Sequence, residues 1–220
     1  MIFLTQEATL ATENSISLFS MIIKGGWLML PIFALSVISV YIYAERYNII
    51  RKIRKDNNPL LLSIRELLKT KEYDEAIMTC ERENSPTSRT FAKAIQHISL
   101  PNNELRHNLE ASSNREINKL EKGLSMLSTA SGLAPMIGFL GTVVGMVQAF
   151  YDMALAGSNI NITLLSRGIY TAMITTVAGL LVGIIAYVAY NTLTSMINRI
   201  ASRMESDNAE FMEIVYEIKK

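Results

Sequence analysis

Four threonines lie inside two long apolar stretches of this 220-residue chain, and their hydroxyls are polar groups that could contact an ion. The first stretch holds Thr142, and the second holds Thr171, Thr175 and Thr176. A threonine in a membrane helix often bonds a carbonyl of its own helix or a neighbouring helix, so packing explains any single one. Several hydroxyls at similar depth indicate instead the wall of a polar path, and both interpretations stay open at this point.

These two stretches, and a third nearer the N-terminus, are long enough to span a membrane. Each is free of charge for at least the roughly 20 apolar residues that a transmembrane helix needs. The uncharged ranges are 25–44, 123–151 and 168–198. The membrane helices that we predict from them are 21–45, 123–156 and 164–198. The second and third exceed the bilayer thickness, so we expect them to extend into the cytoplasm.

Glycines recur at packing intervals within the second and third predicted membrane helices. Gly141 and Gly145 form a G-x-x-x-G pattern, and Gly179 and Gly183 form another. This spacing puts small residues on one helix face and lets two helix backbones approach closely. We predict a role in helix packing, rather than in chemistry, for Pro135, Gly138, Gly141, Gly145, Gly179 and Gly183.

The charges around the predicted membrane helices indicate their orientation. Five Lys or Arg residues lie within 46–55 after the first helix, and Arg199 and Arg203 follow the third, whereas 157–161 carries no charge. Basic loops are retained in the cytoplasm, so the sequence predicts a multi-pass membrane protein with its N-terminus outside. The predicted periplasmic parts are 1–20 and the loop 157–163. The predicted cytoplasmic parts are a helical domain at 46–122 and a C-terminal helix at 199–220.

Composition argues against several classes of protein. The 21 basic and 20 acidic residues leave a net charge of +1, which is too small to favour nucleic-acid binding. The single cysteine, Cys80, rules out an intrachain disulfide framework. No residues have the spacing of a metal site, a phosphate loop or a nucleophile–base pair. We therefore expect no metal, no cofactor and no catalytic site, and we do not predict an enzyme.

The second and third predicted membrane helices lack an ionisable group near mid-depth. There is no Asp, Glu, His, Lys or Arg in 123–151 or in 168–198. Proton transfer across a bilayer normally uses such a group. If this chain conducts protons, a partner must supply the carboxylate, and this chain supplies hydroxyls and a water-lined wall.

The segment that leads into the second membrane helix contains no strong helix breaker. Apolar residues such as Leu105, Leu109 and Leu120 keep helical spacing up to it, so we predict one continuous helix from about 103 to 156. The tail at 202–220 also has helical spacing. Its apolar residues, including Met204, Phe211, Ile214 and Val215, are available for packing.

Three blocks of sequence carry a resemblance to a known family. They are 25–46, which begins G-G-W-L-M-L-P-I and ends E-R, then A-P-M-I-G-F-L-G-T-V-V-G at 134–145, and 168–191, which begins G-I-Y-T-A-M-I-T-T-V-A-G-L. On these blocks the chain resembles the ExbB/TolQ/MotA ion-channel family, and ExbB and TolQ more closely than MotA. The resemblance implies an all-α membrane protein with three transmembrane helices, two of them long and extending into the cytoplasm, and a small helical cytoplasmic domain.

The resemblance also implies an assembly and an ion path. The chain would form a homo-oligomer, a pentamer, whose pore surrounds the single-span helices of an ExbD- or TolR-like dimer. The partner's aspartate would carry H⁺, or Na⁺, and rotation would do work on a TonB- or TolA-like protein. Thr142 and Thr176 fall on the family's threonines near the ion path, with Thr175 adjacent. Two positions depart from many relatives, since Thr171 replaces a glutamate and Ile185 replaces a proline.

The implied function is that of a stator-like subunit in an ion-driven motor, which uses the proton motive force to energise TonB-dependent outer-membrane transport. A TolQ-like subunit for envelope integrity, or a gliding or secretion motor, is an alternative within the family. A membrane scaffold that conducts nothing is an alternative from another class. The scaffold predicts that Thr142→Val and Thr176→Val are silent, whereas the motor predicts lost function with assembly intact.

Overall fold

The computed structural model describes residues 26–53, 58–156 and 162–219, and these residues form seven helices and no strand. They are 91% helical, which confirms the all-α fold class. The predicted periplasmic segment at 1–20 lies outside the described residues, as does most of the predicted loop at 157–163. The helices are α1 (Met29–Lys52), α2 (Asn58–Lys69), α3 (Tyr73–Glu83), α4 (Pro86–Gln96), α5 (Asn102–Glu121), α6 (Leu124–Ala156) and α7 (Ile162–Lys219).

Three of these helices are long and apolar enough to cross a membrane, which confirms the prediction of three spans. They correspond to Met29–Lys52, Leu124–Leu155 and the apolar first part of Gly168–Lys219. Helix α1 begins after a turn at Gly26, whose φ of +73° is one that glycine adopts without strain. Pro31 lies in the first turn of α1, where its missing N–H breaks no helical hydrogen bond.

The described chain divides into two compact units. The apolar unit contains the described residues up to Val40 together with Leu127–Val188, and it therefore holds most of α6 and the first half of α7. The charged unit contains Tyr41–Met126 and the residues from Ala189 onward, and it holds α2 to α5 and the second half of α7.

The predicted continuous helix over 103–156 is wrong at one point, because α5 ends at Glu121 and α6 begins at Leu124. Lys122 has an extended backbone (φ −55°, ψ 123°), and Gly123 has a φ of +91°. A left-handed residue cannot continue a right-handed helix, and glycine is the residue that adopts this conformation at least cost. A Cβ at Gly123 would also lie 3.1 Å from Ile42 Cγ2, so the break is closely packed.

The core of the charged unit is built from large apolar side chains. The rings of Phe91 in α4 and Phe211 in α7 stack with centroids 4.7 Å apart and an interplanar angle of 11°. Both side chains are fully buried, and Leu68, Leu105 and Val215 are buried in the same cluster. The C-terminal tail is therefore helical and contributes part of this core.

A buried carboxylate in the charged unit is neutralised by two basic side chains. Glu116 in α5 is 2% exposed, and its Oε2 accepts hydrogen bonds from Arg89 Nε (2.9 Å) and Nη2 (2.7 Å). Its other oxygen accepts a bond of 2.5 Å from Lys119 Nζ. Burial alone would raise the pKa of Glu116, but the hydrogen bonds and charges of Lys119 and Arg89 outweigh it and hold the pKa below its usual 4.5.

The only cysteine of the chain is also buried in this unit. Cys80 in α3 has no accessible surface and lies in the same apolar cluster as Phe211. Burial raises the pKa of its thiol to about 12, and the neighbouring charge of Glu81 adds to this effect. The thiolate is the reactive form of cysteine, so Cys80 should react with alkylating reagents only when the charged unit opens.

Candidate ion-path site

Helices α6 and α7 approach each other so closely in the apolar unit that their backbones touch. A Cβ placed on Gly138 would lie 2.9 Å from the carbonyl oxygen of Thr175, and one on Gly179 would lie 2.5 Å from the carbonyl oxygen of Ala134. Real Cβ atoms essentially never make such contacts, and the nearest obstacles are backbone atoms that cannot rotate away. Glycine is therefore required at both positions for the observed approach.

The other predicted packing residues lie along the same contact between α6 and α7. A Cβ on Gly183 would lie 2.5 Å from Pro135 Cγ, and a Cβ on Gly145 would lie 2.8 Å from Ala172 Cβ. A Cβ on Gly141 would overlap the side chain of Thr175. The glycines and Pro135 thus set the distance between the two helices along which the candidate threonines lie.

Thr176 forms a hydrogen bond across this contact. Its Oγ1 donates to the carbonyl oxygen of Gly138, 38 residues earlier in the chain, at 2.8 Å. The side chain is half-buried, so its oxygen lies at the helix contact without being sealed inside it. A hydroxyl that donates one hydrogen bond keeps two lone pairs. With these it can accept a hydrogen bond from a protonated group or contact a cation.

Thr175 and Thr142 bond carbonyls of their own helices. Thr175 is buried, and its Oγ1 donates to the carbonyl oxygen of Ala172 at 2.7 Å. Thr142 is half-buried, and its Oγ1 donates to the carbonyl oxygen of Phe139 at 2.6 Å. The overlap of Thr175 with a Cβ at Gly141 puts it beside the residue that precedes Thr142, so these two threonines lie at a similar depth.

Thr171 is half-buried and lies one helical turn before Thr175, towards the start of α7. The four predicted threonines therefore fall into two settings. Thr176 bridges the helices and Thr175 is enclosed between them, whereas Thr142 and Thr171 are partly open to the surroundings. The hydrogen bond from Thr176 to the other helix could not be predicted from the sequence. It depends on how α6 and α7 pack, because this packing brings the carbonyl oxygen of Gly138 within reach of the Thr176 hydroxyl.

Two polar residues that the sequence analysis did not select lie near the end of α6. Gln148 Nε2 donates to Asp152 Oδ1 at 2.8 Å. Asp152 is the one carboxylic acid among the residues of the apolar unit that the structure describes. A usable signal was present, because Asp152 is the first charge after the uncharged stretch that ends at residue 151.

The fold and this site define a class of protein: a multi-pass membrane protein in which two glycine-packed helices carry hydroxyls and the charged residues lie mostly outside the apolar unit. A model of the MotA/TolQ/ExbB proton channel family matches residues 82–206, which is more than half of the chain. The chain belongs to this family, and the resemblance seen in the sequence is confirmed. It is a multi-pass inner-membrane protein.

Individual relatives agree with this assignment. The chain is 27% identical over 223 residues to a Synechocystis sp. protein described as the biopolymer transport protein ExbB-like 1, covering 98% of this chain and 82% of that protein. It is 39% identical over 101 residues to the Tol-Pal system protein TolQ of Haemophilus influenzae, covering 46% of this chain and 42% of TolQ. It is 31% identical over 87 residues to the biopolymer transport protein exbB1 of Vibrio cholerae, covering 40% and 38%.

Proposed function

We propose that this chain is the ring-forming subunit of an ExbB–ExbD-type motor in the inner membrane, which uses the proton motive force to energise TonB-dependent outer-membrane transport. The observation that carries the proposal is the Thr176 hydroxyl, bonded across the α6–α7 contact within a family of proton channels. The N-terminus is periplasmic and the C-terminus cytoplasmic in this proposal. The positive charge that follows α1 and the first half of α7 supports that orientation.

The proposed assembly is a pentamer around the single-span helices of an ExbD- or TolR-like dimer. The described residues of the apolar unit contain no carboxylate near the four threonines along α6 or α7, since Asp152 lies ten residues from Thr142. The partner must therefore supply the acid that carries the proton at mid-depth. Thr176 and Thr142 accept a hydrogen bond from this acid or order water beside it, and Thr175 and Thr171 extend the polar wall.

The coupling ion is H⁺ in this proposal, and Na⁺ is the alternative. Hydroxyl and carbonyl oxygens are hard ligands that can contact Na⁺ without any change of protonation. Reconstituted flux in a proton gradient without Na⁺, compared with flux in a Na⁺ gradient at constant pH, separates the two ions.

A TolQ-like role in envelope integrity is the second candidate. One observation favours it, because the identity to Haemophilus influenzae TolQ is 39% over the 101 matched residues. Complementation distinguishes the two roles. Rescue of iron-siderophore uptake in a strain without ExbB supports the first, and rescue of detergent resistance in a strain without TolQ supports the second.

The test of the proposed function is Thr176→Val in the complex purified from its own membranes and reconstituted into vesicles. Valine preserves the shape and removes the hydroxyl, so proton flux should fall about 100-fold or more if the hydroxyl contacts the transferred proton. Thr176→Ser should restore most of the flux. Thr129→Val makes the same change at an exposed position of α6 outside the site and serves as the control.

Native mass spectrometry of the same samples checks that each variant still forms the ring with its partner. Wild-type flux in an assembled Thr176→Val complex would show that this hydroxyl does not lie on the ion path. No flux in the assembled wild-type complex would rule out the motor and support a scaffold that conducts nothing.

A further inference from the structure

Asp152 and Gln148 form a polar pair at the end of α6 that none of the preceding roles explains. The two residues are one helical turn apart, and Gln148 Nε2 donates to Asp152 Oδ1 at 2.8 Å. Gln148 is exposed and Asp152 is half-buried. The amide holds one carboxylate oxygen, so Asp152 Oδ2 and the Gln148 carbonyl oxygen are the remaining acceptors of the pair.

Asp152 is a charged residue at the end of an otherwise uncharged membrane span, so its position requires an explanation. It is the one carboxylic acid in the described part of the apolar unit, and it follows 29 uncharged residues from 123 to 151. A charge in or beside a membrane span carries a penalty, and such residues most often take part in ion movement. A salt bridge with α7 is the competing structural role, because Arg167 lies in the first turns of that helix.

Asp152 lies on the helix face that packs against α7. A Cβ on Gly145 would touch Ala172, and a Cβ on Gly168 would overlap Ala149, so both contacts lie along one face of α6. Residues 145, 149 and 152 follow each other at intervals of four and three, which keeps them on that face. Asp152 is thus one turn beyond the last of these contacts, towards the beginning of α7.

We propose that Asp152, held by Gln148, is the outer cation-collecting site of this chain, a role that rests on the proposed function. It lies ten residues beyond Thr142 along α6, which corresponds to about 15 Å at 1.5 Å per residue. This distance excludes direct transfer to the threonine, so water carries the ion between them. The carboxylate takes up one H⁺ from the periplasmic side and releases the same H⁺ inward, or it binds and releases one Na⁺.

Among the residues that the structure describes at the end of α6 and the start of α7, the chargeable groups are few. On α6 they are Tyr151 and Asp152, and on the first turns of α7 they are Arg167 and Tyr170. A single negative charge at the mouth of an apolar passage concentrates cations there, which speeds their entry. Neutralising Asp152 should therefore slow ion entry while leaving the helix contact and the ring intact.

The experiment uses Asp152→Asn in the reconstituted complex, because asparagine keeps the size of the side chain and an oxygen that can accept from Gln148. We expect flux from the periplasmic face to fall about tenfold, the lower end of the effect of charge focusing on ion capture. Asp152→Glu should restore flux, and Arg167→Gln should not reduce it. The same measurements in a proton gradient without Na⁺, and in a Na⁺ gradient at constant pH, identify the ion collected.

Two results would overturn the assignment of Asp152. One is wild-type flux in Asp152→Asn while Thr176→Val is inactive, which leaves the proposed motor in place without this site. The other is loss of flux in Asp152→Asn that is recovered in the double variant with Arg167→Gln, which shows a structural ion pair. If the assembled wild-type complex itself conducts neither H⁺ nor Na⁺, the proposed motor is wrong, and this site has no path to serve.

Discussion

The two units of this chain pack their helices by opposite means. In the apolar unit, α6 and α7 touch through glycine and alanine, so that a single added methyl group at Gly179 would meet a carbonyl oxygen at 2.5 Å. In the charged unit, the helices are held apart by large side chains such as Phe91 and Phe211. The difference follows from the solvent. Moving a large apolar side chain from lipid tails into a helix contact gives no hydrophobic stabilisation. Membrane helices therefore associate through close backbone packing.

The treatment of charge differs in the same way. The charged unit buries Glu116 and compensates it fully with Arg89 and Lys119. The described residues of the apolar unit place their one carboxylate, Asp152, at the end of a helix and give it a neutral amide. Removing either basic partner of Glu116 would leave a buried charge unpaired, which is strongly destabilising, whereas a carboxylate at the end of a membrane span can contact an ion.

The largest expected effect comes from removing an aromatic side chain of the charged unit. Phe211→Ala should lower the free energy of unfolding by about 3–5 kcal/mol, because it leaves a cavity beside Phe91 in a fully buried core. Tyr216→Ala on the same helix is the matched control, since Tyr216 is 48% exposed and its loss should cost about 0.5 kcal/mol or less.

The buried thiol of Cys80 reacts only when the charged unit opens, so its rate of reaction with a maleimide in detergent measures how often the unit opens. The thiol should become reactive far faster in Phe211→Ala than in Tyr216→Ala. Equal rates in the two variants would mean that the stacked pair does not hold the charged unit together.

A smaller effect is expected from adding one methyl group to the apolar unit. Gly179→Ala should destabilise the α6–α7 pair by about 1–3 kcal/mol, because the helices must separate to admit it. Gly132→Ala in α6 is the control, because a Cβ there would meet nothing within 4 Å. Alanine should be neutral or stabilising by up to about 1 kcal/mol at this exposed helical position.

Thermal unfolding of both glycine variants in detergent gives the comparison, and Cys80 reactivity at low temperature gives a second one. Gly179→Ala should leave Cys80 protected, because the thiol belongs to the other unit. A melting temperature of Gly179→Ala equal to that of Gly132→Ala would contradict the close backbone contact.

The smallest effect concerns the buried carboxylate of the charged unit. The folded-state pKa of Glu116 is lowered, so its stabilisation is complete above its usual pKa of 4.5 and is lost as the pH falls through the lowered value. Glu116→Gln should cost about 1 kcal/mol at pH 7, the difference between hydrogen bonds to a charged group and to a neutral one. Melting temperatures of the two proteins should converge as the pH falls below 4.5. A difference that stayed constant with pH would show that charge at Glu116 does not matter.

Sequence reasoning found the helices and the small residues of the helix contact, but not the break at Gly123 or the hydrogen bond between Gln148 and Asp152. The break was missed because a lone glycine within helical spacing is compatible with a continuous helix, and its φ of +91° is a property of the folded chain that helical spacing does not report. The sequence places Asp152 and Arg167 at the adjoining ends of two spans, but the hydrogen bond of Asp152 to Gln148 depends on side-chain conformations in the folded helix.

Composition and spacing predicted the three membrane spans, and the resemblance of three sequence blocks to a known family implied the all-α class and the family. This was possible because a bilayer imposes a minimum apolar length on each helix and because G-x-x-x-G spacing is a local property of the chain. The hydrogen-bond partner of each threonine, in contrast, was decided only by the tertiary structure. Thr175 bonds its own helix, whereas Thr176, the next residue, bonds Gly138 of another helix. Neighbours in sequence point about 100° apart around a helix. The angle and distance at which α6 and α7 meet therefore decide which of the two threonines reaches a carbonyl of the other helix.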